Sequence, residues 1–181
     1  MARKALLIID MQKGSFTPKT PRFDTLGVLS RINTLASQFR KRHFPVIHIQ
    51  HDGTKDSEFI PGTYEHELLD GLTTHDEDYF IDKYANDAFY KSKLQSILKV
   101  LEVETLYITG CATDFCIEAT VQSALTKDYN ITVVADAHTT GERQHVSAKQ
   151  IILHYNWVWQ NMINTKGTLK VEDFKTISTS L

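Results

Sequence analysis

The 181-residue chain predicts an α/β protein on a parallel sheet, and three observations carry that prediction. Short runs of strand length alternate with segments of helical spacing. The runs are apolar almost throughout, as strands covered on both faces are. Three reactive residues, Asp10, Lys83 and Cys116, stand at or just past the ends of such runs, where an open parallel sheet binds its ligands.

The first run is 4–9, with Ala5-Leu6-Leu7-Ile8-Ile9 leading into Asp10. The stripe Leu26, Leu29, Ile32, Leu35, Ala36 and Phe39 predicts a helix over 24–42. A second run, Ile47-His48-Ile49-Gln50, follows Pro45-Val46, and a third covers 79–82, ending before Lys83. Leu94, Ile97, Leu98 and Leu101 share one face of a helix over 91–102. A fourth strand at 105–109, a helix at 114–127, a fifth strand at 131–135 and a helix at 142–159 complete the alternation. Such a rhythm argues for right-handed crossovers with helices on both faces of the sheet. Residues 160–181 hold an edge strand or a helix around 171–177.

Segment 51–78 breaks the pattern with Gly53, Pro61, Gly62, Gly71 and many acids. A long loop in a small α/β protein reads as a substrate lid or an oligomer contact. No repeat or low-complexity linker divides the chain, so residues 1–181 are expected to form a single domain. Its net charge of −2 gives no electrostatic reason to expect a nucleic acid or an anionic membrane as partner. No apolar run reaches bilayer length. The short basic start is not followed by a signal-peptide cleavage pattern. With only two cysteines, Cys111 and Cys116, a disulfide framework is not expected and the reducing cytoplasm is the default compartment.

The segment from Gly110 to Thr120 carries most of the chemistry. A strand ends at Gly110, and Thr113 or Asp114 can cap a following helix. That places Cys116 in the first helical turn, where free N–H groups and the dipole favour thiolate and can hold an oxyanion. On that basis iodoacetamide is expected to alkylate Cys116 well below pH 8, and faster than Cys111. Taken alone, Cys116 reads equally as an inert core residue, and Cys111 reads as packing. Asp10 alone could cap a strand end, or serve as a metal or phosphate acceptor, but position 12 is Gln12 rather than a second acid. Lys83 alone reads as a surface ammonium. Together the three supply a nucleophile and the means to activate it, the signature of a cysteine-dependent hydrolase.

Those pieces resemble the isochorismatase-like cysteine hydrolases, a family that includes nicotinamidases, N-carbamoylsarcosine amidohydrolases and isochorismatases. The matching stretches are Leu6 to Gln12 with Phe16, Lys83 with Asp87-Ala88-Phe89, Thr109 to Cys116 with Ala119-Thr120, and Val133 to Ala137. The resemblance runs in consistent order over residues 4–155. It implies a doubly wound, Rossmann-like, six-stranded parallel sheet in three αβα layers, and a catalytic triad of Asp10, Lys83 and Cys116. It also implies a non-proline cis peptide at Ala112–Thr113, and oxyanion-binding backbone N–H groups at Ala112, Thr113 and Cys116. By the same resemblance, Gln12, Phe16, His51, Tyr84 and Phe115 are candidates to line the pocket of a small-molecule substrate, with core packing the alternative for the aromatics. A homo-oligomer is implied as well.

Nicotinamidases bind a divalent metal through an Asp-x-His pair after the second strand. Here that stretch reads Gln50-His51-Asp52-Gly53, so neither a metal nor another cofactor is expected. His48 and His51, three apart on a strand, point to opposite faces. The expected reaction is cleavage of an amide-type C–N bond through a thioester. Vinyl-ether hydrolysis of the isochorismatase type needs no thiol and is the alternative within the fold. A nucleotide- or flavin-binding module lacks its Gly-x-Gly-x-x-Gly turn, because Asp10-Met11-Gln12-Lys13-Gly14 follows the first strand. An inactive member would not need all three triad positions, which are intact.

Overall fold

A computed structural model describes residues 3–181; Met1 and Ala2, part of the short basic start, lie outside the described residues. The elements in order are β1 (Arg3–Ile9), α1 (Thr25–Lys41), β2 (Val46–His51), β3 (Tyr79–Lys83), α2 (Leu94–Val100), β4 (Val103–Cys111), α3 (Glu118–Thr126), β5 (Asn130–Thr139), α4 (Ala148–Gln160), β6 (Leu169–Glu172) and α5 (Phe174–Ser180). The six strands lie in the order β3-β2-β1-β4-β5-β6 and all pair in parallel. The sequence order therefore reverses between β1 and β4, making their carboxyl ends the switch-point crevice of a doubly wound sheet.

The apolar runs are buried on both faces, as their composition requires. Leu6 and Ile8 face α1 and α5, sharing a core with Val28, Ile32, Leu35, Phe39 and Ile177. Ala5, Leu7 and Ile9 face the other way, against Leu94 and Leu98 of α2, Val121 and Leu125 of α3, and Trp159 of α4. Fully burying each such large side chain stabilises the fold by on the order of 1.5–3 kcal/mol.

Several boundaries differ from the sequence reading. β4 and β5 run longer than their apolar cores because their ends still pair, Cys111 with Thr139. The helix read over 142–159 starts only at Ala148. Ser147 caps it with a reciprocal Ser147–Gln150 box, and an isolated bridge between Arg143 and Val146 turns the chain just before. The end of the chain holds both a strand, β6, and a helix, α5, whose cap Asp173 accepts from the Thr176 N–H. Of the three aromatics at the end of α4, Trp159 is core and Tyr155 packs against it, whereas Trp157 is exposed.

Two backbone features shape the crevice. Asp10 sits in the left-handed region at φ 49°, which aspartate tolerates better than most residues, and this turns the chain sharply off β1. Gly110 has φ 120°, and a Cβ there would lie 2.1 Å from the Ile9 carbonyl oxygen. Only glycine lets β4 pass so close to the end of β1.

Candidate active site

Asp10 follows directly on β1, Lys83 ends β3, and Cys116 lies in the turn after β4. The Lys83 ammonium reaches past the end of β2, paired beside β3, to the β1 carboxylate. Its Nζ lies 2.8 Å from Asp10 Oδ2, 3.3 Å from Cys116 Sγ and 2.9 Å from the Ala85 carbonyl. Three donors thus meet three acceptors. Asp10 is 5% exposed and Lys83 fully buried, and Asp10 Oδ1 has no hydrogen-bond partner. The thiol donates weakly to Asn86 Oδ1 at 3.7 Å.

The electrostatics follow from this packing. Burial disfavours the Lys83 ammonium, but the Asp10 carboxylate and the Cys116 sulfur outweigh it and hold its pKa above the usual lysine value. For Cys116, burial and then the Asp10 charge push the thiol well above its ordinary pKa, against the opposing pull of Lys83. This corrects the expectation of a resting thiolate. A helix end activates a thiol only where the sulfur is not also desolvated beside a carboxylate. Cys111, buried at the strand end, is pushed up to about 12 by burial.

The turn itself also departs from expectation. Residues Thr113–Ile117 form a single π-helical turn, and α3 proper starts at Glu118, so Cys116 precedes the α-helix. The non-proline cis peptide lies between Cys111 and Ala112, one bond earlier than Ala112–Thr113. The physical reason is that β4 continues through Cys111, so the chain leaves the sheet there and Ala112 is the extended residue that enters the turn. Its carbonyl accepts from the Phe115 and Ile117 N–H groups, both at 3.1 Å.

A relay behind the turn was not visible in the sequence. Asn156 Nδ2 donates to the Ala135 carbonyl at 2.9 Å, which orients its Oδ1 toward His138 Nε2, also at 2.9 Å. The Nε2–H tautomer leaves His138 Nδ1 to accept from the Thr113 hydroxyl at 2.8 Å. Burial lowers the pKa of His138 to about 4, against the Asn156 bond, so the ring is neutral. Thr113 is thereby fixed by its side chain.

Asp10, Lys83, Cys116 and Ala112 line one cavity of about 270 Å³, just under the size typical for drug-sized ligands. His51 and Phe115 also line it, and Phe59 of the 51–78 loop closes the side next to His51, their ring centroids 5.8 Å apart. Burial, then the Lys83 charge, lowers the pKa of His51. Three expected lining residues are placed elsewhere. Gln12 is buried, its amide donating to the His51 and His66 carbonyls and accepting from the His51 N–H. It therefore clips the 51–78 loop to β2. Phe16 packs against the α1-side core, and Tyr84 is 55% exposed and does not line the cavity. Residues the sequence reading missed are Ser15, Thr20, Arg22, Phe59 and Asn86. They lie in loops and, for Ser15, a single 3-10 turn, where no periodicity announces direction.

The stretch after β2 does not suit a metal. Asp52 Oδ1 accepts from the N–H and hydroxyl of Thr54. Among the described residues no three His, Cys, Asp or Glu side chains are grouped to hold an ion.

A doubly wound sheet with a carboxylate, an ammonium and a thiol gathered at its switch point defines a class of α/β protein equipped for nucleophilic chemistry. Residues 4–158 match the isochorismatase domain model. The chain belongs to the isochorismatase family of hydrolases. It is 31% identical over 179 residues to the isochorismatase family protein YddQ of Bacillus subtilis (strain 168), covering 92% of this chain and 98% of that one. It is 33% identical over 100 residues to the ureidoacrylate amidohydrolase RutB of Methylorubrum extorquens, covering 54% of this chain and 40% of the relative. A crystal structure of an isochorismatase family protein superposes with a TM-score of 0.83 at 32% identity, over 91% of this chain and 96% of its own. No described helix is long and apolar enough to cross a membrane.

Proposed function

We propose that the chain is a cysteine hydrolase that cleaves an amide-type C–N bond of a small molecule through a thioester on Cys116. The observation that carries this reading is the contact of Lys83 Nζ with both Asp10 Oδ2 and Cys116 Sγ, while Asp10 Oδ1 is left without a partner beside the thiol. The similarity to an amidohydrolase supports the choice of bond.

The steps follow from the geometry. Asp10 Oδ1 takes the thiol proton as sulfur attacks the carbonyl carbon, so the high resting pKa of the thiol is overcome only when substrate is present. Lys83 stays charged and stabilises first the carboxylate and then the sulfur. Backbone N–H groups of Ala112, Thr113 and Cys116 hold the oxyanion, with Thr113 steadied by the His138 relay. Collapse breaks the C–N bond, and Asp10 returns the proton to the leaving nitrogen. Water, deprotonated by Asp10, then attacks the thioester; the acid departs and the thiol recovers its proton.

The test is mass spectrometry of the protein mixed with a panel of small amides and ureides. An acyl adduct on Cys116 is expected, absent in Cys116→Ala together with at least about a 10³-fold loss of turnover. Turnover that survives Cys116→Ala overturns the covalent route.

A further inference from the structure

Arg22 lines the cavity, Arg143 lies over the ring of the lining residue Phe115, and their bonding differs. Arg143 is saturated: its Nε and Nη2 contact both Asp114 oxygens at 2.8–3.1 Å, Nη2 meets the Thr140 hydroxyl at 3.0 Å, and Nη1 donates to the Gly141 and Glu142 carbonyls. Arg22 engages one nitrogen. Its Nε donates to the Ser15 carbonyl at 2.7 Å. Among the described residues, its two terminal nitrogens make no hydrogen bond and no ion pair.

The backbone around Arg22 is pinned. It faces Gly141 in an antiparallel bridge, and the next residue, Phe23, donates its N–H to the Thr140 carbonyl and accepts the Thr139 hydroxyl. A Cβ at position 141 would come within 3.0 Å of Arg22 Nη1, so the glycine leaves the space that the guanidinium occupies. The fork is therefore anchored at Nε and lines the same cavity as Cys116.

The cavity's charges point the same way. Asp10 and Lys83 neutralise each other at 2.8 Å, and burial beside Asp10 disfavours a charge on the Cys116 sulfur. Arg22 remains as the cavity's uncompensated charge. A planar guanidinium with both terminal nitrogens free matches a carboxylate through two parallel N–H···O bonds.

We propose that Arg22 anchors a carboxylate of the substrate, which makes the substrate class an amide or ureide that carries a carboxylate at the end opposite the scissile bond. This assignment rests on the hydrolase reading for which bond faces Cys116. A neutral analogue of the same shape is rejected because it leaves the fork without its partner.

The test uses the full chain carrying Cys116→Ala, which keeps the cavity and cannot turn over. Calorimetric titration compares malonamate, succinamate and glutaramate with their neutral diamides. The best acid is expected to bind at least about 30-fold tighter than its diamide, and Arg22→Gln should reduce that ratio to within about 3-fold. Arg22→Lys, which keeps the charge but loses the fork, should retain an intermediate preference. Melting curves of both variants confirm the fold. Equal affinity for acids and diamides, a preference that survives Arg22→Gln, or failure of every acid to bind overturns the anchor. Because the titrated protein has no nucleophile, the two readings fail separately. Acids that bind through Arg22 but never acylate the wild-type sulfur reject the hydrolase, whereas acylation by acids and diamides with equal efficiency rejects the anchor.

Discussion

Two buried clusters of charge among the described residues invite comparison, and they differ in whether the carboxylate has an oxygen left over. At the carboxyl ends of the strands, Lys83 joins Asp10 and Cys116, yet Asp10 Oδ1 is unpartnered and the cluster opens on a cavity. At the opposite, amino-terminal edge of the sheet, Asp78 precedes β3 and is gripped by Arg40 of α1 through two bonds of 2.7–2.9 Å. It also meets His48 Nε2 and accepts from the His75 N–H, both at 3.0 Å. An arginine, a carboxylate and a histidine could pass for a catalytic relay. Its carboxylate is saturated, and Arg40 holds its pKa low against the effect of burial. His48 is fully buried and stacked on Phe80. Buried charge alone marks a clamp; buried charge with a free oxygen, a nucleophile and an opening marks a site.

The largest effect that sharpens this contrast is expected from Lys83→Met. Removing the ammonium leaves Asp10 and the sulfur uncompensated, and turnover of whichever amide acylates Cys116 should fall by at least about 10³-fold. The matching change in the clamp, Arg40→Met, should cost about 3–5 kcal/mol by stranding Asp78, read as a lower denaturation midpoint. Turnover by the folded Arg40→Met protein should stay within about 3-fold of the wild type. If Arg40→Met slows turnover as much as Lys83→Met, the distinction between clamp and site is wrong.

A smaller effect concerns the relay that holds Thr113. His138 has its pKa depressed to about 4 by burial, while in the unfolded chain histidine titrates near 6.5. Below about pH 6.5 the unfolded chain takes a proton that the folded one refuses, so stability is fully present above that pH and falls as pH drops toward about 4, by about 3 kcal/mol in all. Denaturation at a series of pH values should show this slope, and His138→Asn should flatten it. A slope unchanged by the substitution would mean another group is responsible.

The smallest expected effect is on thiol labelling. Since burial and Asp10 raise the Cys116 thiol, iodoacetamide labelling without substrate should be slow at neutral pH and rise roughly tenfold per pH unit up to about pH 9. It should still outpace labelling of Cys111, which is 1% exposed. Fast, pH-independent labelling at pH 6 would restore a resting thiolate and remove the need for Asp10 as base.

The strands, their burial on both faces and the helix stripe of α1 were legible because apolar periodicity is a local signal and each element needs only its own side chains to declare it. Asp10, Lys83 and Cys116 were legible for a related reason: in a parallel sheet, the end of each strand is a place known before any contact is. Direction off those ends was not. Gln12 and Tyr84 flank the reactive positions as closely as any pocket residue, yet one turns inward to clip a loop and the other faces solvent. Arg22 and Phe59 lie on loops, and the Thr113–His138–Asn156 relay joins a turn, β5 and α4, so each depends on parts distant in the chain meeting.

What the amino-acid order determined by itself is a parallel sheet covered by helices on both faces and the end of it at which carboxylate, ammonium and thiol would gather. The tertiary structure alone decided the protonation of that thiol, the π-helical turn that carries it and the free valence of Arg22. Desolvation and hydrogen-bond saturation are sums over every neighbour in space, and no stretch of sequence contains those neighbours.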